Sequence, residues 1–164
     1  MPIRVALDSC VIIDGLVSEF SASKAVLILG LRKVIQLVIP QFVIAETERA
    51  IRKIVNNQRE ADILEAFQLL IRKLSPEIIS LPTKKEMEAF RSVIRHQADV
   101  PVLASVVKCR PDYFLTTNIS HFNKRVTQKT SLKILRPEDF LAELTVRMKG
   151  SVALNARKRE SLDD

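Results

Sequence analysis

Apolar residues gather along this chain in short blocks whose period changes from one block to the next. Ile3-Arg4-Val5-Ala6-Leu7 runs without alternation up to Asp8. That is the pattern of a central strand in a parallel sheet covered on both faces. A short helical turn at 11–16 and a polar break at 18–23 follow, and Ser21 or Ser23 can cap a helix to about residue 33. Residues 36–39 form a second buried strand ended by Pro40, which also suits the start of a helix over about 42–55. The apolar stripe of that helix is Val43, Thr47, Ala50, Ile51 and Ile54, and Glu46 borders it. Asn56 and Asn57 mark a stop before an amphipathic helix at 58–74. A brief strand at 77–81 and a helix at 83–95 come next, and Asp99 with Pro101 opens a helix that is apolar nearly all round. Strands at 112–117 and 132–135 and a helix from Pro137 to about residue 148 complete the pattern. Strands alternate with helices throughout, so the expected fold class is α/β, with a right-handed, mostly parallel sheet.

Composition narrows the function classes. With 164 residues, 47% hydrophobic and 27% charged, the chain has the length and balance of one globular domain. The expected division is an ordered unit over 1–148 and a flexible charged tail over 149–164. Charge interrupts every apolar run before membrane-spanning length, and Asp8 and Asp14 break any secretion-signal pattern. Cys10 and Cys109 offer neither a disulfide framework nor zinc spacing and read as core thiols of a reducing cytoplasm. Three glycines leave no room for a Gly-rich phosphate loop. A net charge of +7 favours a polyanionic partner, although the same charge serves plain solubility.

Four oxygen-bearing side chains occupy comparable places. Asp8 ends the first strand, Glu46 sits early in the helix after the second, Asp99 starts the apolar helix and Asn118 follows a later strand. In a parallel sheet, strand ends and the starts of the following helices share one edge. Carboxylates gathered there repel one another, and a hard dication such as Mg²⁺ or Mn²⁺ relieves the repulsion. Next to a phosphodiester such an ion polarises phosphoryl oxygen, activates water and stabilises the leaving oxygen. Taken singly, each residue has a quieter reading. Asp8 and Asp99 can be helix caps, Glu46 a solvated charge paired with Arg49 or Lys53, and Asn118 an ordinary turn residue. The order of the four moves the balance.

That order is carried by Leu7-Asp8-Ser9-Cys10-Val11-Ile12, Ile44-Ala45-Glu46, Ala98-Asp99-Val100-Pro101-Val102-Leu103-Ala104 and Leu115-Thr116-Thr117-Asn118-Ile119-Ser120-His121-Phe122. It resembles PIN domains, metal-dependent ribonucleases that include the VapC-type toxins of bacterial toxin–antitoxin pairs. The resemblance covers roughly residues 3–144. It implies a three-layer α/β/α fold and an Mg²⁺- or Mn²⁺-dependent endoribonuclease. Asp8, Glu46 and Asp99 match the acidic metal-holding positions, Asn118 falls where many members carry a fourth Asp, and Ser9 and Thr116 stand in support. His121 replaces a frequently acidic residue and reads as a surface group. Arg49, Lys53 and Arg95 are candidates for binding the RNA backbone by proximity in sequence. The implied partners are RNA, a cognate antitoxin and a second copy of the chain in a homodimer, without a membrane and in the cytoplasm.

Two other classes compete. A PIN-like module that binds RNA or protein without cutting draws support from the neutral Asn118. A phosphoacceptor receiver domain also places an Asp after a strand. It expects a further acidic residue near the first strand and a lysine after a late one, and residues 3–8 and 115–118 supply neither.

Overall fold

The computed structural model describes residues 2–54 and 57–160. Strand β1 (Ile3–Leu7) leads to α1 (Ser9–Val17) and α2 (Ala22–Leu31), then β2 (Ile35–Pro40), α3 (Gln41–Ile54) and α4 (Asn57–Leu74). Next come β3 (Glu77–Ile79), the short α5 (Lys84–Glu88), a 3₁₀ turn (Gln97–Asp99) and α6 (Val100–Cys109). Strand β4 (Tyr113–Leu115), α7 (Lys124–Thr130), β5 (Ile134–Leu135) and α8 (Pro137–Glu160) complete the chain.

The five strands form one sheet in the order β3-β2-β1-β4-β5, and every pairing is parallel. Val5, Ala6 and Leu7 are consecutive and all inaccessible to solvent. Successive strand residues point to opposite faces, so helices cover both sides of β1. The unalternating apolar run that marked this strand is the signature of that double burial. The core on the two faces is built around Phe67, Phe114, Phe122 and Phe140, each almost wholly buried. Burial of such a side chain contributes about 2–3 kcal/mol.

The amino end of the sheet is fastened by Arg4. Its guanidinium grips Glu77 of β3 through Nη2–Oε1 (2.7 Å) and Nε–Oε2 (3.1 Å), and Nη1 donates to the Cys109 carbonyl (2.8 Å). One side chain on the central strand thus ties an outer strand and the end of α6. At the carboxyl end the chain order reverses between β1 and β4, because β1 continues to β2 on one side while β4 is added on the other. Such a reversal leaves a crevice between the two strand ends.

Three elements depart from expectation. The helix expected over 83–95 ends at Glu88, and tight turns replace it: Phe90 N–H donates to Met87 O (3.0 Å) and Val93 N–H to Phe90 O (3.0 Å). Gln97 Nε2 then takes the carbonyls of Arg91 (3.0 Å) and Ile94 (3.2 Å), which a continuing helix would have used internally. Helix α7 went unpredicted because Val126 is its one buried apolar residue and leaves no stripe to read; Asn123 caps it, accepting from Arg125 N (3.0 Å). Helix α8 runs on to Glu160 rather than ending near residue 148. The stop read at Asn56 and the last four residues of the expected tail lie outside the described residues.

Candidate active site

Asp8 stands in the crevice between the β1 and β4 ends and is 6% exposed. Its backbone N–H donates to Leu115 O (3.0 Å), continuing the ladder one residue past β1. Extended dihedrals (φ −86°, ψ 158°) make it the cap of α1, with Oδ1 accepting from Ser9 N (2.8 Å). Oδ2 accepts from the buried Thr116 hydroxyl (2.6 Å) and from the Cys10 thiol (3.3 Å). The capping reading of Asp8 thus accounts for Oδ1, while Oδ2 is held by Thr116 and Cys10. Burial pushes its carboxyl pKa up; the bonds from Thr116, Cys10 and Ser9 oppose the shift, and the charge of Asp99 adds to it.

Glu46 reaches the same place from the second turn of α3 and is half-buried. Burial raises its pKa, a hydrogen bond with the Ser9 side chain lowers it, and the charges of Asp8 and Asp99 raise it again. The charge of Arg49, weighed as its helix partner, lowers it, and the Arg49 guanidinium lies over the Phe42 ring, 5.6 Å from its centroid.

Asp99 occupies the cap position of α6, yet its side chain caps nothing. Pro101 needs no donor partner at the helix start, and the carboxylate is turned away, with Oδ2 2.7 Å from His121 Nδ1 and 3.6 Å from His96 Nδ1. The His96 and His121 rings stack with centroids 4.0 Å apart and 16° between planes. His121 is thus no free surface group; its side chain is 30% exposed and held against Asp99. Its sequence context hid this, because the partner lies 22 residues away on another loop.

Asn118 follows β4. Its N–H donates to Thr116 Oγ1 (2.9 Å), its side-chain nitrogen meets His121 Nδ1 (2.7 Å), and Oδ1 accepts from the Ser120 hydroxyl (2.9 Å). Thr116 therefore links the two halves of the site, donating to Asp8 and accepting from the Asn118 backbone. Cys10, read as a core thiol, lines this wall: besides its bond to Asp8, its sulfur accepts from Thr117 N (3.3 Å). Burial and the Asp8 charge push its thiol pKa up, so it is held as the neutral donor.

The basic candidates divide. Arg49 and Lys53 line a cleft of about 510 Å³ with Phe42, Glu46, Gln97 and Pro101. Arg95 lines a second cleft of about 420 Å³ with Arg91, Arg125 and Gln97, away from Glu46. Gln97 belongs to both walls, and Arg91 and Arg125 were not singled out by the sequence.

Asp8, Glu46 and Asp99 thus share one edge of the sheet and feel one another's charge. Their ligand oxygens do not all come within 4.8 Å of one another; among the described residues the group that does is His96, Asp99 and His121. No helix among the described residues is long and apolar enough to cross a membrane.

The chain matches the family model described as "PIN domain" over residues 4–120. No curated protein sequence matches it. Among solved structures, FitAB bound to an IR36 DNA fragment aligns at a TM-score of 0.62 and 14% identity, over 81% of this chain and 94% of that one. VapBC2 from Rickettsia felis, bound to a DNA fragment from its promoter, aligns at 0.60 and 16%, over 82% and 98%. A protein from Pyrobaculum aerophilum aligns at 0.62 and 13%, over 89% and 98%. Identities this low establish a shared fold.

Proposed function

The chain belongs to the PIN-domain family, and from that premise we propose that it is a divalent-metal-dependent endoribonuclease and the toxin of a toxin–antitoxin pair. The observation that carries the reading is electrostatic: Asp8 and Glu46 each have their carboxyl pKa raised in part by the charge of Asp99. Unrelieved, that crowding destabilises the charged site.

Asp8, Glu46 and Asp99 would hold Mg²⁺ or Mn²⁺, with Asn118 near enough to add a neutral oxygen. Bound there, the ion supplies Lewis-acid polarisation of a phosphodiester and a more acidic water. The chain's own residues supply orientation. Ser9 N, Thr116 and Cys10 fix Asp8 from both oxygens. His121 engages the Asp99 carboxylate, which leaves its helix end uncapped. Arg49 and Lys53, along the cleft beside Glu46, are placed to take the phosphates of a bound strand. Arg91, Arg95 and Arg125 extend that track beyond Gln97. Single-stranded or loop RNA suits such an open track, since its phosphates are accessible to in-line attack. An antitoxin partner is supported by the fold shared with VapBC2 and FitAB.

The test is cleavage of a fluorescent single-stranded RNA with Mn²⁺ or Mg²⁺. Asp8→Asn is expected to lower the rate by at least about a thousandfold, on the scale set by losing one electrostatic group in an active centre, while RNA binding persists. Undiminished cleavage in that variant, or in excess chelator, overturns the proposal. A second reading, binding without cutting, is favoured by Asn118, whose amide is engaged by His121 and Ser120. Wild-type protein that binds RNA yet never nicks it at any Mn²⁺ concentration establishes that reading instead.

A further inference from the structure

We propose that His96, Asp99 and His121 form a second cation site, selective for an imidazole-preferring first-row transition dication such as Zn²⁺ or Co²⁺. It rests on the nuclease reading only in sharing Asp99, whose carboxylate would stand between the two sites.

The ligand atoms of these three side chains all lie within 4.8 Å of one another. Among the described residues they form the one such group of His, Cys, Asp and Glu. Both Nδ1 atoms face a single oxygen, Asp99 Oδ2, at 2.7 and 3.6 Å. Two ligands on one tetrahedral zinc stand about 3.3 Å apart for metal–ligand bonds near 2.0–2.1 Å. The observed separations straddle that value. The rings are stacked with 16° between planes, so taking one ion requires them to swing out of parallel until both in-plane lone pairs converge on it. His96 is 57% exposed and Asp99 16%, which leaves a path from solvent.

A second observation concerns hydrogen-bond bookkeeping at His121. Its Nδ1 is met at 2.7 Å by a carboxylate oxygen, which only accepts, and at 2.7 Å by the Asn118 side-chain nitrogen, which only donates. One ring nitrogen cannot donate to the first and accept from the second. Rotating the Asn118 amide to present its oxygen removes the conflict, either with a proton on Nδ1 shared between the two oxygens or with a cation on its lone pair that both oxygens face. The Ser120 hydroxyl can serve either end of that amide. Nitrogen donors then decide the ion: imidazole suits Zn²⁺, Co²⁺ and Ni²⁺, whereas Mg²⁺ keeps to oxygen.

The chain contains two histidines, so every imidazole signal reports on this site. The experiment titrates untagged, metal-stripped full-length protein with Zn²⁺ and follows both imidazoles by ¹⁵N NMR, with Co²⁺ absorption as a second readout. One equivalent of Zn²⁺ is expected to shift both rings, and Mg²⁺ neither. His121→Ala and His96→Ala are each expected to weaken Zn²⁺ binding at least about tenfold. Asp8→Asn should bind Zn²⁺ like the wild type. Rings unmoved at stoichiometric Zn²⁺, equal affinity in the histidine variants, or Zn²⁺ binding lost in Asp8→Asn each overturns the site. Because no cleavage is measured, failure here leaves the nuclease reading standing, and an Asp8→Asn protein that still cuts RNA defeats that reading without touching this one.

Discussion

Asp8 and Glu46 keep their carboxylates in a crevice that resists charge, and stability should register it. Both pKa values are raised, first by burial and further by neighbouring acids. A carboxyl whose folded pKa exceeds its unfolded value adds stability while protonated, and that contribution is lost as pH rises through the folded pKa. The metal-free protein is therefore expected to lose thermal stability as pH climbs from about 4, the ordinary carboxylate range, toward neutrality. Mn²⁺ should restore more at neutral pH than at acid pH, and Asp8→Asn should flatten the decline. Melting curves across pH with and without Mn²⁺ check all three. At this scale the sequence singled out Asp8, Glu46, Asp99 and Asn118 by their residue types and their places at strand ends and helix starts. It concealed His96, His121 and Cys10, whose partners come from other loops or from the wall of the crevice. A lone histidine or thiol carries no periodicity, so only the fold could reveal its neighbours.

Among the elements, helix ends show how a chain with three glycines turns its corners. Lys33, Ser75, Arg110 and Ser131 adopt left-handed backbone with φ of 58°, 43°, 47° and 59°, a region that glycine enters without penalty. For other residues it costs about 1–2 kcal/mol. Glycine gives back part of that through the freedom it adds to the unfolded chain. Ser131→Gly, at the end of α7, is thus expected to stabilise the fold by about 0.5–1 kcal/mol in a urea titration, with RNA binding unchanged. A loss of stability would mean that the Ser131 hydroxyl does more than close the helix. Legibility followed burial at this scale. Strand β1 and helices α3, α4 and α6 bury broad apolar faces and were readable, whereas α7 buries Val126 alone and α5 gives way to turns that Gln97 seals from a distance.

For the whole molecule, the net charge of +7 acquires a location. Two clefts meeting at Gln97 carry Arg49 and Lys53 on one side and Arg91, Arg95 and Arg125 on the other. Each single-strand phosphate neutralised contributes about −0.7 to the slope of log affinity against log salt. Replacing Arg49 and Lys53 together by Ala is expected to flatten that slope by about 1.4 for single-stranded RNA, read by fluorescence anisotropy over a salt series. An unchanged slope would place the strand elsewhere. The strand order β3-β2-β1-β4-β5 has a temporal consequence as well. Asp8 is translated well before the side chains around it, Thr116 on its own carboxylate and Asp99 with His121 beyond. Until β4 slots in beside β1, a nascent polypeptide holds a carboxylate with no counterpart across the gap. On the nuclease reading proposed above, the centre stays incomplete, and the RNA being read stays safe from it, until that strand has been made.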